Sequence, residues 1–586
     1  MPALSTAPPT LRRPSAGLLV CAAILAIGGL TASVSHAVEP VASWDRLTTG
    51  NGFGFGVWQN GRLSALYAKP YKHPTQGETT ANRIAGRGVA FGVRALGEER
   101  CLCDEPAEQV GYLDETHVIL TKQRHGTLEA TTYVLSPWDA GTAEVAMLLE
   151  VRNRSARIEP HAAAWLEGID NGPRWELADL QPGRSRWVGV RLTEDGVTTI
   201  DDPEALLTSE LRAWQAWRSE APIGLSPMEL QVWRQSETVL RMAQVRAPAP
   251  AGGAVLASLP PGIWWIAWVR DMAYALVALA ASGHIDEALA GVQFWVGAES
   301  GRYEEDYVGV PYPVSVTRYY GDGGEESDFD DNGPNIEFDG FGLALWAAHA
   351  AGSDAMDAAA DTLLALRDEE TGLIRADSSI WEVHWNGRQK RFAYTSIVAA
   401  RGLCDAGRTD EARALRDSIV EHLVDDDGYI AQSVEELTGG LGAVDGAVLE
   451  AINLGLVDPH GMLADATVDR LYEVLLVPHE KGLARNDDGG GYDQQEWVFI
   501  GLRLAVALRK MRLDEAADLI LDRYTLYASL NHGLLPELLH PVAATYRGAT
   551  PMVGFGAGAW QLAILAREQA GAAEPAHVVE CFGGGP

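Results

Sequence analysis

Positive charge is what this chain lacks. Its 46 lysines and arginines face 80 aspartates and glutamates, a formal net charge of −34 at pH 7. A surface of that sign repels phosphodiester backbones and anionic headgroups, so nucleic acid and anionic membrane are disfavoured as partners. Cysteine is scarce as well, with 5 in 586 residues. Cys101, Cys103, Cys404 and Cys581 show no zinc-ligand spacing with neighbouring histidines. They leave room for one disulfide in an oxidising compartment, and its pairing is not assigned by spacing. No metal is expected. Long apolar runs are missing too, apart from residues 16–32. Arg12-Arg13 precede that run and Ser35-His36-Ala37 follow it, which is the layout of a signal peptide over residues 1–37. The run is short for a membrane span and is interrupted by Gly28-Gly29. A secreted or periplasmic protein is expected, with no membrane attachment after cleavage.

What the chain has in quantity is tryptophan, 18 residues. Indole faces pack on the apolar C–H faces of sugars when exposed, and fill cores when buried. Residues 38–200 alternate with period two at 117–120, 131–135, 145–151 and 187–192, separated by turn-rich stretches such as Asn51-Gly52 and Gln181-Pro182-Gly183. Many short strands without a long helix predict an antiparallel β-sandwich. Over 201–250 the period becomes helical (Leu206, Leu211, Trp214, then Leu230, Trp233, Leu240), which reads as a helical connector.

From residue 251 on the chain reads as helical and repetitive. Glycines recur at Gly262, Gly301, Gly372, Gly428, Gly482 and Gly533, and left-handed glycines of this kind end helices. A second element, Asp286-Glu287-Ala288, Asp410-Glu411-Ala412 and Asp514-Glu515-Ala516, follows a brief polar turn each time. The aspartate there is expected to cap the next helix and the glutamate to favour its positive end. About six helical hairpins result. Closed on themselves, they make an all-α (α/α)6 toroid over 251–572, with a tail at 573–586; an open helical solenoid is the alternative.

The glycines also place acidic groups. Glu382, in Ser378-Ser379-Ile380-Trp381-Glu382-Val383, follows Gly372, and Glu537, in Gly533-Leu534-Leu535-Pro536-Glu537, follows Gly533. If the glycines are equivalent, both carboxylates lie at one mouth of the array, as acid–base hydrolysis of an acetal requires. Glu496, beside Trp497, is a third carboxylate and reads as charge at a helix N-terminus. Asp328-x-Asp330-x-Asn332-Gly333-x5-Asp339 matches the opening of a calcium loop, but lacks an upstream helix and reads as an acidic loop lining the cleft. Gly554-Phe555-Gly556-Ala557-Gly558 lacks the strand-to-helix context of a phosphate loop.

Several ordered motifs carry a resemblance. Gly253-Ala254-Val255-Leu256-Ala257-Ser258-Leu259-Pro260 leading to Trp268-Val269-Arg270-Asp271, then Glu337-Phe338-Asp339-Gly340, then Ile380-Trp381-Glu382 with Phe392-Ala393-Tyr394-Thr395, and finally Gly533-Leu534-Leu535-Pro536-Glu537, resemble in order glycoside hydrolase family 15, the glucoamylase family. The likeness spans about residues 226–570, and the sandwich resembles the extra domain of bacterial members. It implies an exported exo-acting enzyme that releases glucose from malto-oligosaccharides, isomalto-oligosaccharides or trehalose with inversion, its two carboxyls roughly 6.5–9.5 Å apart to admit a water. Glu382 would be the general acid and Glu537 the general base. Arg270 and Asp271 would bind sugar hydroxyls, Arg485 the sugar or the acid, and Trp264, Trp268, Asp339 and Trp381 would complete the substrate site. No cofactor and a monomer acting on oligosaccharide are implied.

The chain departs from the family pattern at Trp264, where a tyrosine usually helps to seat the water, and at Glu337, usually glutamine. Val383 follows the acid, and Met552-Val553-Gly554-Phe555-Gly556-Ala557 stands where a Trp-Ser-His/Tyr-Ala segment is expected. The alternative reading is a catalytically decayed sugar-binding or scaffold protein on the same fold. A lyase on a similar toroid would need a basic groove, which the charge argues against.

Overall fold

A computed structural model describes residues 41–69, 82–383, 387–437, 443–479 and 481–583. The segment read as a signal peptide, 1–37, lies outside the described residues. Among the described residues no helix is long and apolar enough to cross a membrane.

The first third of the chain is sheet. Strands β1 (Arg46–Gly50), β2 (Phe55–Gln59) and β3 (Arg62–Tyr67) form one antiparallel sheet. A second contains β4 (Ala90–Ala95), β5 (Glu98–Cys101), β10 (Glu159–Glu167) and β11 (Arg174–Leu180) in the order β11-β10-β4-β5. The third runs β13-β12-β9-β8-β7-β6, from β6 (Ala107–Tyr112), β7 (Ile119–His125), β8 (Leu128–Leu135), β9 (Val145–Asn153), β12 (Ser185–Thr193) and β13 (Gly196–Thr199). Period-two patterning produces this: along β7, Ile119, Thr121, Gln123 and His125 point inward while the residues between them do not. The expected sandwich region is therefore present. It contains a Cys101–Cys103 disulfide, and Cys404–Cys581 is a second, so the cysteines make two bridges rather than one.

Helices follow: α1 (Pro203–Trp217), α2 (Pro227–Ala243), α3 (Val269–Ala281), α4 (Ile285–Gly297), α5 (Asp339–Ala350), α6 (Ala358–Ala365), α7 (Ala393–Asp405), α8 (Thr409–Leu423), α9 (Glu450–Asn453), α10 (Met462–Leu475), α11 (Val498–Lys510), α12 (Asp514–Leu530), α13 (Ala559–Glu568) and α14 (Ala576–Phe582). Helix α2 starts on a complete capping box, Ser226 with Glu229, and a proline in its first turn. Rather than only connecting, it packs on α12 and α13.

Helices alternate in character. Helices α3, α5, α7 and α11 are almost wholly buried, whereas α8 and α10 bury one stripe. Helix α3 packs on α5, α5 on α7, α7 on α9, α9 on α11, α11 on α13, and α13 returns to α3. Close approach there needs glycine: a Cβ on Gly342 of α5 would lie 2.3 Å from the carbonyl oxygen of Val398 on α7.

Two expectations about the turns are corrected. Left-handed residues end the buried helices, among them Gly283, Gly352, Gly407, Gly455 and Arg512. The N–H groups of His284, Arg408 and Leu513 bond back to the carbonyls of Leu279, Leu403 and Leu508, the Schellman arrangement. Those same three residues are the N-caps of α4, α8 and α12 and make no side-chain capping bond. Asp286, Asp410 and Asp514 lie inside the first turn, so they act on the helix dipole and do not cap. Gly372, Gly428 and Gly482 are not helix caps either. Each sits in a small hairpin closed by the bridges Arg367↔Ile374, Val424↔Ile430 and Leu476↔Leu483, which carries the chain from an outer helix toward the start of the next buried one.

The sandwich docks on the loops at that end. Asn531 accepts from the N–H groups of Ser43 and Trp44 at 2.8 and 2.9 Å, and Thr48 donates to the carbonyl of Pro260. The Arg241 guanidinium sits among the rings of Trp138, Trp214 and Trp217, 4.0–4.5 Å from their centres.

Candidate active site

The starts of the buried helices supply the site. Trp268 is the N-cap of α3, which puts Arg270 and Asp271 in its first turn; Asp339 opens α5, and Trp497 is the N-cap of α11. Helix N-termini carry partial positive charge, so carboxylates are favoured there. The first turn of α3, Trp497 and the loops around them line a cavity of about 410 Å³. Glu382 and Glu537 both line it, with Arg270, Asp271, Arg485 and Tyr492 as its other charged or hydroxyl-bearing groups. Trp264, Trp268, Trp381 and Trp497 supply aromatic wall, and Met552 and Phe555 add apolar surface. Indole walls with a few convergent polar groups suit a sugar ring.

Glu382 is held in an unusual backbone. It and Ser379 both have left-handed φ, 57° and 49°, at a cost of about 1–3 kcal/mol each. Its N–H bonds the carbonyl of Ser379 at 3.1 Å. Its carboxylate accepts from the Trp268 indole at 2.7 Å and lies 3.6 Å from Arg270. Arg270 is buried and pairs with Glu337 and, at 3.4 Å, with Asp339. Burial opposes the arginine charge, but the carboxylates around it raise its pKa well above the usual value. Burial pushes Glu337 and Asp339 up even though Arg270 pulls them down. Asp271 is pushed up to about 7 by burial, against Arg270 and with help from Glu382 and Glu537.

Glu537 is set differently. Its carboxylate accepts from the Tyr492 hydroxyl, from the N–H of Ala549 at 2.9 Å and from the Trp264 indole at 3.3 Å. Burial raises its pKa while those donors and Arg485 lower it. The backbone approaches closely at Gly548, φ 67°, where a Cβ would lie 2.4 Å from a Glu537 oxygen. Arg485 lies against Trp381, Tyr492 and Trp497, 4.6–5.2 Å from their ring centres, and is anchored by Asp493 at 2.5 Å. Trp381 donates to Asp445 at 2.9 Å, whose own pKa burial lifts to about 7.

Most of the residues singled out in the sequence come together here: Trp264, Trp268, Arg270, Asp271, Trp381, Glu382, Arg485 and Glu537 all line the cavity. Asp339 does not; it braces Arg270 from behind. Glu496 is buried away from the cavity, bonded to Arg523, His479 and Tyr524 at 2.6–2.7 Å. Burial works against its charge, but Arg523 and His479 bring it down to about 2. The calcium-like motif is dispersed, since Asp328 pairs with Arg318, Asp330 turns onto Asn332, and Asp339 faces Arg270.

Tyr492 and Gly548 were not picked out by sequence, and Phe555 was read only as part of the Met552–Ala557 departure. Tyr492 follows Gly489-Gly490-Gly491, glycines that face open space or only the Asp493 side chain, and Gly548 carries no distinguishing neighbour. The Met552–Ala557 departure is a wound segment, Val553–Gly558, leading into α13. Gly554 allows it to touch α3, since a Cβ there would meet the Asp271 carbonyl at 1.9 Å. Phe555 stacks on Phe499 with ring centres 3.8 Å apart.

No protein-family model and no curated protein matches the chain. Solved structures do. A bacterial glucoamylase complexed with acarbose aligns over 94% of this chain and 98% of its own, at 11% identity and a TM-score of 0.56. A wild-type glycosidase aligns over 58% and 99%, at 23% identity and 0.46. The glucoamylase from Saccharomycopsis fibuligera aligns over 60% and 99%, at 14% identity and 0.44. The likeness to the first runs through sandwich and helices together, and this chain therefore has the glucoamylase-like fold.

Proposed function

We propose that the protein is an exported, inverting, exo-acting glycoside hydrolase that releases glucose from the non-reducing ends of α-glucosides. The observation that carries this is the pair Glu382 and Glu537 on one tryptophan-walled cavity, each fixed by its own set of donors. Glu382, aligned by Trp268, is the general acid and protonates the glycosidic oxygen. Glu537 is the general base. Its three donors hold the carboxylate in place while it takes a proton from the attacking water. Arg270 and Asp271 bind hydroxyls of the terminal sugar, and Arg485 lies beside the same ring. The tryptophans exclude water and pack on the sugar faces. Raised by burial, the pKa of Glu537 makes it a stronger base than an exposed carboxylate.

In this reading the helical region is a closed (α/α)6 toroid beginning at α2, for which the return of α13 onto α3 is the support. The sandwich braces the loops carrying Trp264 and Glu537, residues 1–37 direct export, and the protein acts as a monomer on malto-oligosaccharides, isomalto-oligosaccharides or trehalose. The test is incubation with a panel of α-linked glucose disaccharides while NMR follows the anomer released. β-Glucose is expected, and its rate falls at least about 10²–10⁴-fold in Glu382→Gln and in Glu537→Gln. Initial α-glucose overturns inversion. Sugar binding without turnover on the whole panel supports a decayed sugar-binding protein instead.

A further inference from the structure

At the end of the buried helices opposite the cavity, three metal-binding side chains converge that the proposed reaction does not use. His349 lies in the last turn of α5, Asp405 is the last residue of α7, and His577 lies in α14. One ligand atom from each lies within 4.8 Å of the other two. His577 Nε2 is 2.9 Å from Asp405 Oδ1, a hydrogen-bonded pair that a tetrahedral ion would spread to about 3.3 Å. The rings of His349 and His577 lie 4.7 Å apart.

We infer that His349, Asp405 and His577 form a site for a divalent transition-metal ion of the zinc type, which pins α14 to the buried helices. Two imidazoles and one carboxylate are a borderline donor set that selects Zn²⁺, Co²⁺ or Ni²⁺ over Ca²⁺ or Mg²⁺. The Asp405 side chain is fully buried and both its oxygens accept from Arg401 Nε at 2.9–3.0 Å, so the carboxylate is oriented before any ion arrives. His349 is exposed and His577 one-third exposed, leaving an entry path and coordination positions for water. The C-termini of α5 and α7 both end here, and their partial negative charge favours a cation and offsets the Arg401 guanidinium. The Cys404–Cys581 bridge joins the same two elements, α7 and α14. Its sulfurs are bonded to each other and take no part as ligands. An Asp–His hydrogen bond alone leaves His349 without a role, because it requires only His577.

The experiment uses untagged full-length protein stripped with chelator. Zn²⁺ is titrated by calorimetry at pH 8 and again at pH 5.5, and Co²⁺ is followed by its visible absorption. One saturable site is expected at pH 8, weaker at pH 5.5 because protonated imidazoles do not ligate, with Tm rising on zinc addition. Both His349→Ala and His577→Ala should weaken Zn²⁺ by roughly 10- to 100-fold and remove the Tm rise. His349 is exposed, so its variant serves if His577→Ala does not fold. Absence of saturable binding, or equal binding in wild type and His349→Ala, overturns the site.

Discussion

At the scale of the residue, Glu537 is held by three donors from separate parts of the chain. Tyr492, Trp264 and the Ala549 N–H all donate to Glu537, so the position where a tyrosine was expected holds an indole, and a tyrosine hydroxyl arrives from another loop. Tyr492 lowers the Glu537 pKa against burial. Removing its hydroxyl in Tyr492→Phe should therefore raise that pKa and move the acid limb of kcat/KM to higher pH. A pH–rate profile checks this, and an unmoved limb would show that the hydroxyl does not tune the base. Gly548→Ala puts a Cβ against the same carboxylate and forces a left-handed alanine. It should cost about 1–2 kcal/mol of stability and lower kcat more than it changes KM, measured by denaturant unfolding and steady-state kinetics.

Elements set which end of the molecule carries the cavity. Buried helices begin at the cavity and end in Schellman turns, so their positive ends face the carboxylates and their negative ends face His349 and Asp405. The repeating glycines and Asp-Glu-Ala turns were legible in the sequence as punctuation. Their detailed geometry was not legible. A glycine five residues past a helix and a glycine at its cap look alike in sequence, and the difference is made by bridges such as Val424↔Ile430. Helix α14 belongs at this scale as well. Its bridge, Cys404–Cys581, closes a loop spanning 177 positions, so Cys581→Ser should lower stability by about 2–4 kcal/mol. Thermal unfolding with and without reductant reads this, since reductant should destabilise wild type toward the variant.

Across the whole molecule, buried carboxylates dominate the response to pH. Burial raises the pKa of Asp271 and Asp445 to about 7, lifts Glu337 and Asp377 well above the usual carboxylate values, and raises Glu537. A folded pKa above the unfolded one means that folding binds protons, so this stability is present at low pH and is lost as pH rises toward 7. Glu496 works the other way. Lowered to about 2, it contributes about 3 kcal/mol above its unfolded value, lost as pH falls toward 2. Together with the repulsion of a −34 charge, these place maximum stability in mildly acidic solution. Tm should be higher at pH 5 than at pH 8, and the reverse order would mean that the raised carboxylates do not control folding.

What the sequence determined by itself was what local pattern encodes. Period-two alternation specified the sandwich, apolar helices with tight turns specified the helical region, and short motifs brought Glu382, Glu537, Arg270 and Asp271 forward as one set, because each motif is contiguous. What only tertiary structure decided was partnership across distance. Trp264 reaches Glu537 over 273 positions, Trp268 reaches Glu382 over 114, and Cys404 finds Cys581 over 177. Whether a buried carboxylate faces the cavity, as Glu537 does, or an arginine, as Glu496 does, depends on which helix packs behind it, and no local pattern carries that information.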